Sequence, residues 1–440
     1  VLFNGCGKKL SVDPVDQLPQ EDARKDIHLL LVGAYSLLGS GGIGGINEGG
    51  LYDNDLFLNA DLLASENYIQ CKNPPQKYFD IASKQMNSTN LSVNRMWNKA
   101  YAAIGLCNTI LENIGNATID KQERYKGEAR FIRGIVYFEL LRFFGESSTG
   151  LGVPLLLHST QKVEDIQYPS RAQIEEVYSH IIDDLTFAQK VLPETNGIYA
   201  NSYSATAFLA RVYLQKGDYQ NAYSQSDSLI QSNLYRLADS VKNAFNAQTS
   251  KESIFEISVR NNPGIVYDGL TSFYCCDEGS TYYAIVEIDS AFISLYDSSD
   301  QRRSKLIYVG LCDGGNVTSA KWLDPNANIP VIRLAEIYLI RAEAGFRLGK
   351  INGVLNDVNL VRKRAGAHEY LSIDLSAILL ERQLELAFEG HRIHDFRRIG
   401  KIVTFPDSSQ VDYNAAQFVM PIPQNDINTN KNLVQNSYYR

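Results

Sequence analysis

The sequence predicts a mostly α protein: a scaffold of helical repeats carrying irregular loop insertions and a few short β-strands. Apolar residues recur at steps of three and four over most of the chain, the signature of helices with one buried face. Most of these stretches follow one another through short turns, which makes antiparallel helix pairs. Two segments, at about 39–90 and 233–330, break the pattern with Gly, Asn, Asp, Pro and many aromatic residues, and are read as insertions on the scaffold.

From Ile27 the set Leu30, Leu31, Ala34, Tyr35 and Leu38 lays one apolar face on a first helix. Helices follow at about 92–114 and 121–144, and Trp97 falls on the stripe with Tyr101 and Ile104, a core position. Ile174, Val177, Tyr178, Ile181, Leu185, Ala188 and Leu192 form the next stripe, opened by a capping box of Ser170 and Gln173 and stopped by Pro193. The same periodicity places helices at about 202–216, 219–232, 331–348, 351–364 and 376–390. Glu252 to Val259 alternates instead, with Phe255, Ile257 and Val259 on one face, as in a short strand.

Two helix pairs look alike. Ala210 to Leu214 leads through Gly217 to Tyr219 and Ala222, and Ala342 to Leu348 leads through Gly349 to Ile351 and Val354. Alanines let helices approach closely, and a glycine ends the first helix where a positive φ costs little. This resembles the tetratricopeptide unit, and Tyr101 to Ile114 followed by Tyr125 to Phe144 reads as a degenerate third copy.

The chain has 440 residues, 44% of them hydrophobic, which is enough for one large or two medium cores. Its net charge is −8 and no basic run tracks an aromatic series, so the electrostatic footprint of a nucleic-acid surface is absent. No apolar stretch approaches the roughly 18–20 residues that span a bilayer as a helix. The opening Val1-Leu2-Phe3-Asn4-Gly5-Cys6 reads as the end of an export segment and a relaxed lipobox, with Cys6 as the lipid attachment residue. Acyl chains there, at about 0.8 kcal/mol per buried methylene, would hold the remaining chain, residues 7–440, at a membrane as a single domain. The other reading of Cys6 is an incidental cysteine. The remaining five cysteines are odd in number, lack metal-ligand spacing and define no full disulfide framework; the adjacent Cys275 and Cys276 receive no functional weight.

Candidate chemistry is sparse. Gly39-Ser40-Gly41-Gly42-Ile43-Gly44 matches a dinucleotide fingerprint literally, but it follows a helix instead of a strand and is read as a loop. Glu381, Glu385 and Glu389 recur at i, i+4 and i+8 and raise the possibility of a glycosidase pair. Arg382, Arg392, Arg397 and Arg398 lie among them, so a structural ion-pair network is the preferred reading. His391 and His394 could grip a metal, yet no third ligand stands at characteristic spacing, and no metal or cofactor is expected. There is no nucleophile elbow, Walker loop or EF-hand loop, and the chain is read as non-enzymatic.

What remains is aromatic richness, with 26 Tyr, 18 Phe and 2 Trp, many of them in the insertions. The predicted ligand-binding residues are Tyr68, Tyr78 and Phe79 in the first insertion and Tyr274, Asp277, Tyr282, Tyr283 and Trp322 in the second, with Tyr267 and Phe273 as further rings. Asn67, Lys72 and Glu278 would add directional hydrogen bonds. For each ring the competing role is to pack the insertion onto the scaffold.

Several stretches, taken together, resemble the SusD/RagB family of nutrient-binding outer-membrane lipoproteins. They are Ile332 to Ala344 with Asp357, Asn359, Arg362 and Gly366; Glu381 to Arg392 with Asp395, Arg397 and Arg398; and Met420-Pro421-Ile422-Pro423 with Asn430, Leu433 and Asn436. Tyr125 to Gly145 and Ala210 to Tyr219 are similar to the family's helical core. The resemblance implies four tetratricopeptide-like helix pairs whose helical side packs on a SusC-like TonB-dependent transporter barrel. It implies a cell-surface, lipid-anchored protein that binds a nutrient glycan and delivers it to that partner, without enzymatic activity; a peptide ligand and, more distantly, glycoside hydrolysis are the alternatives. Specificity is expected in the insertions, which match the family least.

Overall fold

The computed structural model describes residues 25–39, 49–245, 250–259, 269–276, 284–310, 315–405 and 408–440. Helix α1 (Ile27–Leu38) is closed at its start by Asp26, which accepts from the Leu29 amide at 3.0 Å. The first insertion holds a π-turn (Leu51–Asp55), α2 (Leu56–Leu63), strand β1 (Ile69–Cys71) and α3 (Gln76–Ala82). Long helices α4 (Leu91–Glu112) and α5 (Ile119–Phe144) follow, then an antiparallel pair, β2 (Leu151–Pro154) with β3 (Arg171–Gln173). Next come α6 (Ile174–Val191), α7 (Ser202–Lys216) and α8 (Tyr219–Gln231).

The second insertion contributes β4 (Ser253–Ile257), α9 (Leu270–Tyr274), β5 (Val286–Ile288), α10 (Ser290–Ile293), α11 (Gln301–Lys305), β6 (Ile307–Val309) and β7 (Val317–Ser319). Strand β8 (Ile329–Arg333) then returns the chain to the scaffold helices α12 (Leu334–Arg347), α13 (Val354–Arg364) and α14 (Leu375–Glu385). The chain finishes with α15 (Arg392–Arg398), the paired strands β9 (Ile402–Thr404) and β10 (Gln410–Asp412), and α16 (Gln424–Thr429).

Helices α4 to α8 pack each on the next, and α12 continues the stack, lying on α8 and carrying α13 and α14. Small residues set the close approaches. A side chain at Gly127 would come within 2.7 Å of Val191, and one at Gly134 within 3.1 Å of Leu185, so α5 and α6 meet at near backbone distance. Gly217 and Gly349 both take positive φ, 82° and 72°, at the ends of α7 and α12. Behind each, the amide of the following residue returns to the helix: Asp218 to the Tyr213 carbonyl and Lys350 to the Gly345 carbonyl, both at 2.8 Å. The two pairs that look alike in sequence are therefore closed by one device. Trp97 is 2% exposed, edge-on to Phe144, as its place on the stripe required.

Three predicted boundaries are corrected. Residues 171–173 are strand β3, and Gln173 caps α6 without any side-chain hydrogen bond, so Ser170 and Gln173 form no capping box. The helix expected from 331 starts at Leu334 because β8 pairs with β4, Phe255 opposite Ile332. The stretch read as helix to 390 stops at Glu385, since Lys321 Nζ, 3% exposed, takes the Glu385 and Ala387 carbonyls at 2.8 and 2.7 Å and ends the helical ladder. The chain then turns through Phe388 (φ 64°) and Gly390 (φ 72°).

Gly390 is required twice over, by its positive φ and because a Cβ there would stand 2.9 Å from the Phe57 backbone. Gly390→Ala is expected to cost about 2–3 kcal/mol, combining left-handed strain with overpacking. Urea unfolding measures it, and a loss under about 0.5 kcal/mol would contradict this account of the turn.

Candidate functional site

The two insertions, far apart in sequence, meet in space. Strand β1 pairs with β5, Ile69 opposite Ile288 and Cys71 opposite Val286, and Tyr78 on α3 packs edge-on to Phe273 on α9 at 5.3 Å. Cys276, just beyond α9, is disulfide-bonded, whereas Cys71, Cys107 and Cys275 keep their thiols, so one member of the adjacent pair has a structural role the sequence did not reveal. The Tyr308 hydroxyl holds both backbone groups of Cys276, accepting from its amide and donating to its carbonyl at 3.0 Å each.

Most of the described rings expected to face a ligand instead join the insertions to the scaffold, a correction with a clear physical cause. Tyr68, 1% exposed, stacks flat on Phe388 at 5.2 Å, lies under the Arg392 guanidinium at 4.5 Å, and its oxygen accepts from the Phe388 amide at 2.5 Å. Trp322, 5% exposed, donates its indole N–H to the Phe388 carbonyl at 3.0 Å. Tyr274 is fully buried and donates to Asp61 Oδ2 at 2.7 Å. Tyr78 is buried and accepts from Arg95 at 3.1 Å. Each ring buries a large apolar face and gives its polar atom a partner, which satisfies an amphipathic ring inside a core. Phe388, turned inward by its left-handed backbone, is the hub.

Phe79 is different: it stands on the outer side of α3, 48% exposed. Its neighbour Tyr78 anchors that helix on α9, beside the point where the chain leaves for residues 277–283. Asp277, Tyr282 and Tyr283, like Cys6, Tyr267, Glu278 and the 40–44 glycine loop, lie outside the described residues. Of the predicted polar helpers, Lys72 is paired with Glu287 at 2.7 Å and Asn67 occupies a turn at φ 52°. Sequence reasoning missed Tyr168 and Tyr438, which with Phe79 are the aromatic side chains more than a third exposed among the described residues, at 47% and 52%. Both lie in non-periodic stretches outside the insertions; that irregularity was the available signal. Their segments are tied together, Asn432 Nδ2 donating to the Tyr168 carbonyl at 2.7 Å.

The carboxylates of the glycosidase alternative are consumed by cations. Glu381 accepts from Arg302 at 2.6 Å and Arg362 at 2.8 Å. Glu385 accepts from Arg333 at 2.6 Å, from Arg302 at 2.9 Å and from Arg364. Glu389 is gripped by Arg333, with both contacts at 2.8 Å, and by Lys321 at 2.6 Å. All three are buried. Burial alone would raise the Glu385 pKa, but Arg364, Arg333, Arg302 and Lys321 overcome it and hold the carboxyl well below the usual range. A general acid must carry a proton near working pH and reach a substrate, and Glu385 does neither. A structural network is what the sequence suggested, but its cations are Arg302, Arg333, Arg362, Arg364 and Lys321 and not the interleaved arginines, of which Arg382 and Arg398 pair with Asp395 instead.

A continuous stack of helix pairs carrying loop insertions that meet on one side, with its acidic helix neutralised internally, defines a helical-repeat binding scaffold. Residues 308–439 match the SusD family, and residues 52–214 match a family described as starch-binding and associating with the outer membrane. Over these two stretches the chain is similar to the SusD/RagB family. It is 27% identical to SusD-like protein P2 of Formosa agariphila, over 81% of this chain and 83% of that one. It is 23% identical to the starch-binding protein SusD of Bacteroides thetaiotaomicron, over 100% and 97%. A crystal structure of a SusD superfamily protein from Bacteroides thetaiotaomicron superposes with a TM-score of 0.82 at 24% identity, covering 94% of this chain and 99% of that one. Of these relatives, the SusD of Bacteroides thetaiotaomicron is described as starch-binding.

Proposed function

We propose that this chain is a lipid-anchored cell-surface protein that binds a nutrient glycan and delivers it to a SusC-like TonB-dependent outer-membrane transporter. The observation that supports glycan capture is the junction of the two insertions, where Phe79 on α3 stays half-exposed while its neighbour Tyr78 packs against Phe273. Flat apolar rings with a few hydrogen-bonding groups suit the faces and hydroxyls of sugars, and an open platform buries little of its ligand, so affinity is modest and exchange fast. Cys6 carries the anchor in this reading, and residues 7–440 act as one unit. The family's description as outer-membrane-associated supports the location.

Calorimetry against a panel of soluble polysaccharides tests the proposal. Phe79→Ala is expected to weaken the best ligand at least fivefold without changing the unfolding midpoint, because an exposed ring contributes contact and not stability. If peptides bind and no polysaccharide does, the glycan reading fails. A peptide ligand has one observation of its own: Tyr168 and Tyr438 are exposed together with Val163, Ile166 and Val434, a mixture of tyrosine and aliphatic surface common in protein recognition. Tyr168→Ala and Tyr438→Ala assign whichever binding is found to that surface or to Phe79.

A further inference from the structure

A cleft of about 250 Å³ opens on the helical side, away from both insertions, where the last turns of α5, α7 and α15 meet the first turn of α6. Arg142, Lys216, Arg397 and Arg398 line it, with Glu175 as the carboxylate among the lining residues. Three of these cations have acidic partners. Arg142 donates to Glu139 at 3.1 Å, Arg398 to Asp395 at 2.9 Å and Glu343 at 2.6 Å, and Lys216 to Glu175.

Arg397 has none. Its guanidinium donates to main-chain carbonyls, those of Tyr413 at 3.3 Å, Arg142 at 2.6 Å and Phe418. Carbonyls satisfy its N–H groups but leave its unit charge standing, and burial pushes its pKa down to about 10. The negative end of α5, whose carbonyl it takes, offsets only about half a charge.

A buried imidazole lies nearby, outside the residues that line the cleft. His394, on the same short helix, is 2% exposed, its ring edge-on to Phe143 at 4.8 Å, and neither ring nitrogen has a hydrogen-bond partner. Its carbonyl accepts from Gln215, a cleft residue, at 3.4 Å. Burial first, then Arg142, Arg397 and Arg211, hold the imidazole neutral. Buried polar atoms without partners are rare in folded proteins. Here they accompany an uncompensated cation.

The amino-terminal turn of the 18-residue helix α6 also faces the cleft, and no side chain caps it. The Ile174 amide there donates to the Gly150 carbonyl at 2.9 Å, and Glu175 and Glu176 occupy the first turn, so this helix start contributes only weakly to anion preference. Size narrows the ligand: the volume falls below the roughly 300–1,000 Å³ of sites for drug-sized molecules, which admits a small anion and excludes a polymer.

We propose that this cleft binds one small oxyanion group, a carboxylate or sulfate, with Arg397 supplying the unmatched charge and Lys216 the adjustable cation at the rim. The site is separate from the insertions, so the inference does not depend on which nutrient they hold.

Isothermal titration of the full chain with sodium glucuronate, sodium sulfate and neutral glucose at constant ionic strength tests it. Saturable one-to-one binding of either anion, and none of glucose, is expected; sulfate alone or glucuronate alone identifies which oxyanion the cleft accepts. Arg397→Gln also removes three backbone anchors, so the rim variant Lys216→Glu carries the decisive comparison. It places a carboxylate beside Glu175 at the cleft and is expected to weaken binding at least tenfold while the unfolding midpoint stays within about 2 °C. Absence of saturable heat with both anions, or unchanged affinity in a folded Lys216→Glu protein, overturns the proposal.

Discussion

Arg333→Met is expected to cost about 3–5 kcal/mol of folding stability, the largest effect of any prediction made for this chain. Arg333 is 1% exposed and serves three carboxylates at once: Glu252 at 2.7 Å, Glu385 at 2.6 Å and Glu389 through paired contacts of 2.8 Å. It also donates to the Glu385 carbonyl at 2.8 Å, so it helps end α14. Methionine fills much of the volume but leaves Glu389 with Lys321 and Glu252 with Arg364, both deeply buried and each short of one cation. The penalty is that of stranded charges, which exceeds the net worth of the original pairs. Urea unfolding with an unchanged m-value measures it, and a cost below about 1 kcal/mol would show that the lattice tolerates the loss.

The lattice also sets an acid limit. Glu385 and Glu389 are held below the ordinary carboxylate range by their cations against the opposing effect of burial. The native state therefore binds fewer protons than the unfolded chain just below the unfolded pKa near 4.5. Their contribution is fully present above that value and is lost as pH falls through the depressed native pKa.

Asp61 works in the opposite direction and supplies the second large effect. Its carboxyl is fully buried; Oδ2 accepts from Tyr274 at 2.7 Å and Oδ1 has no partner. Burial raises its pKa from 3.8 to about 7, against the pull of Tyr274, Arg392 and Lys321. Between those values the native state keeps a proton that the unfolded chain releases, so stability falls as pH rises from about 4 to 7. At about 1.4 kcal/mol per pKa unit the fall is about 4 kcal/mol. In Asp61→Asn this component disappears. The difference in unfolding free energy between wild type and variant, followed from pH 4 to pH 8, should change by that amount; a flat difference would refute the assignment. Together the two trends place maximum stability on the acid side of neutrality.

The helices were legible because each carries its own evidence. Leu185 and Ala188 must face inward whatever α6 packs against, and Gly217 can take positive φ wherever α7 ends. Strand β4 was legible for the same reason, since Phe255, Ile257 and Val259 recur at every second position. The end of α14 was not legible: Ala387 and Phe388 continue an apolar pattern, and what stops the helix is Lys321, remote in sequence, reaching its last carbonyls. Strand β8 was hidden likewise, because Val331 and Ile332 suit a helix until β4 lies beside them.

The aromatic candidates show the boundary most sharply. Tyr78 and Phe79 are adjacent, equally apolar and equally plausible from sequence, yet one is 1% and the other 48% exposed. Successive side chains on a helix differ in direction by about 100°, so only the docking of α3 on α9 determines which ring is buried. Local periodicity and turn chemistry by themselves determined that this chain builds a stack of helix pairs. The tertiary structure decided which rings remain free, which glutamate meets which arginine and where an uncompensated charge is left, because burial and ion pairing depend on partners brought together from distant parts of the chain.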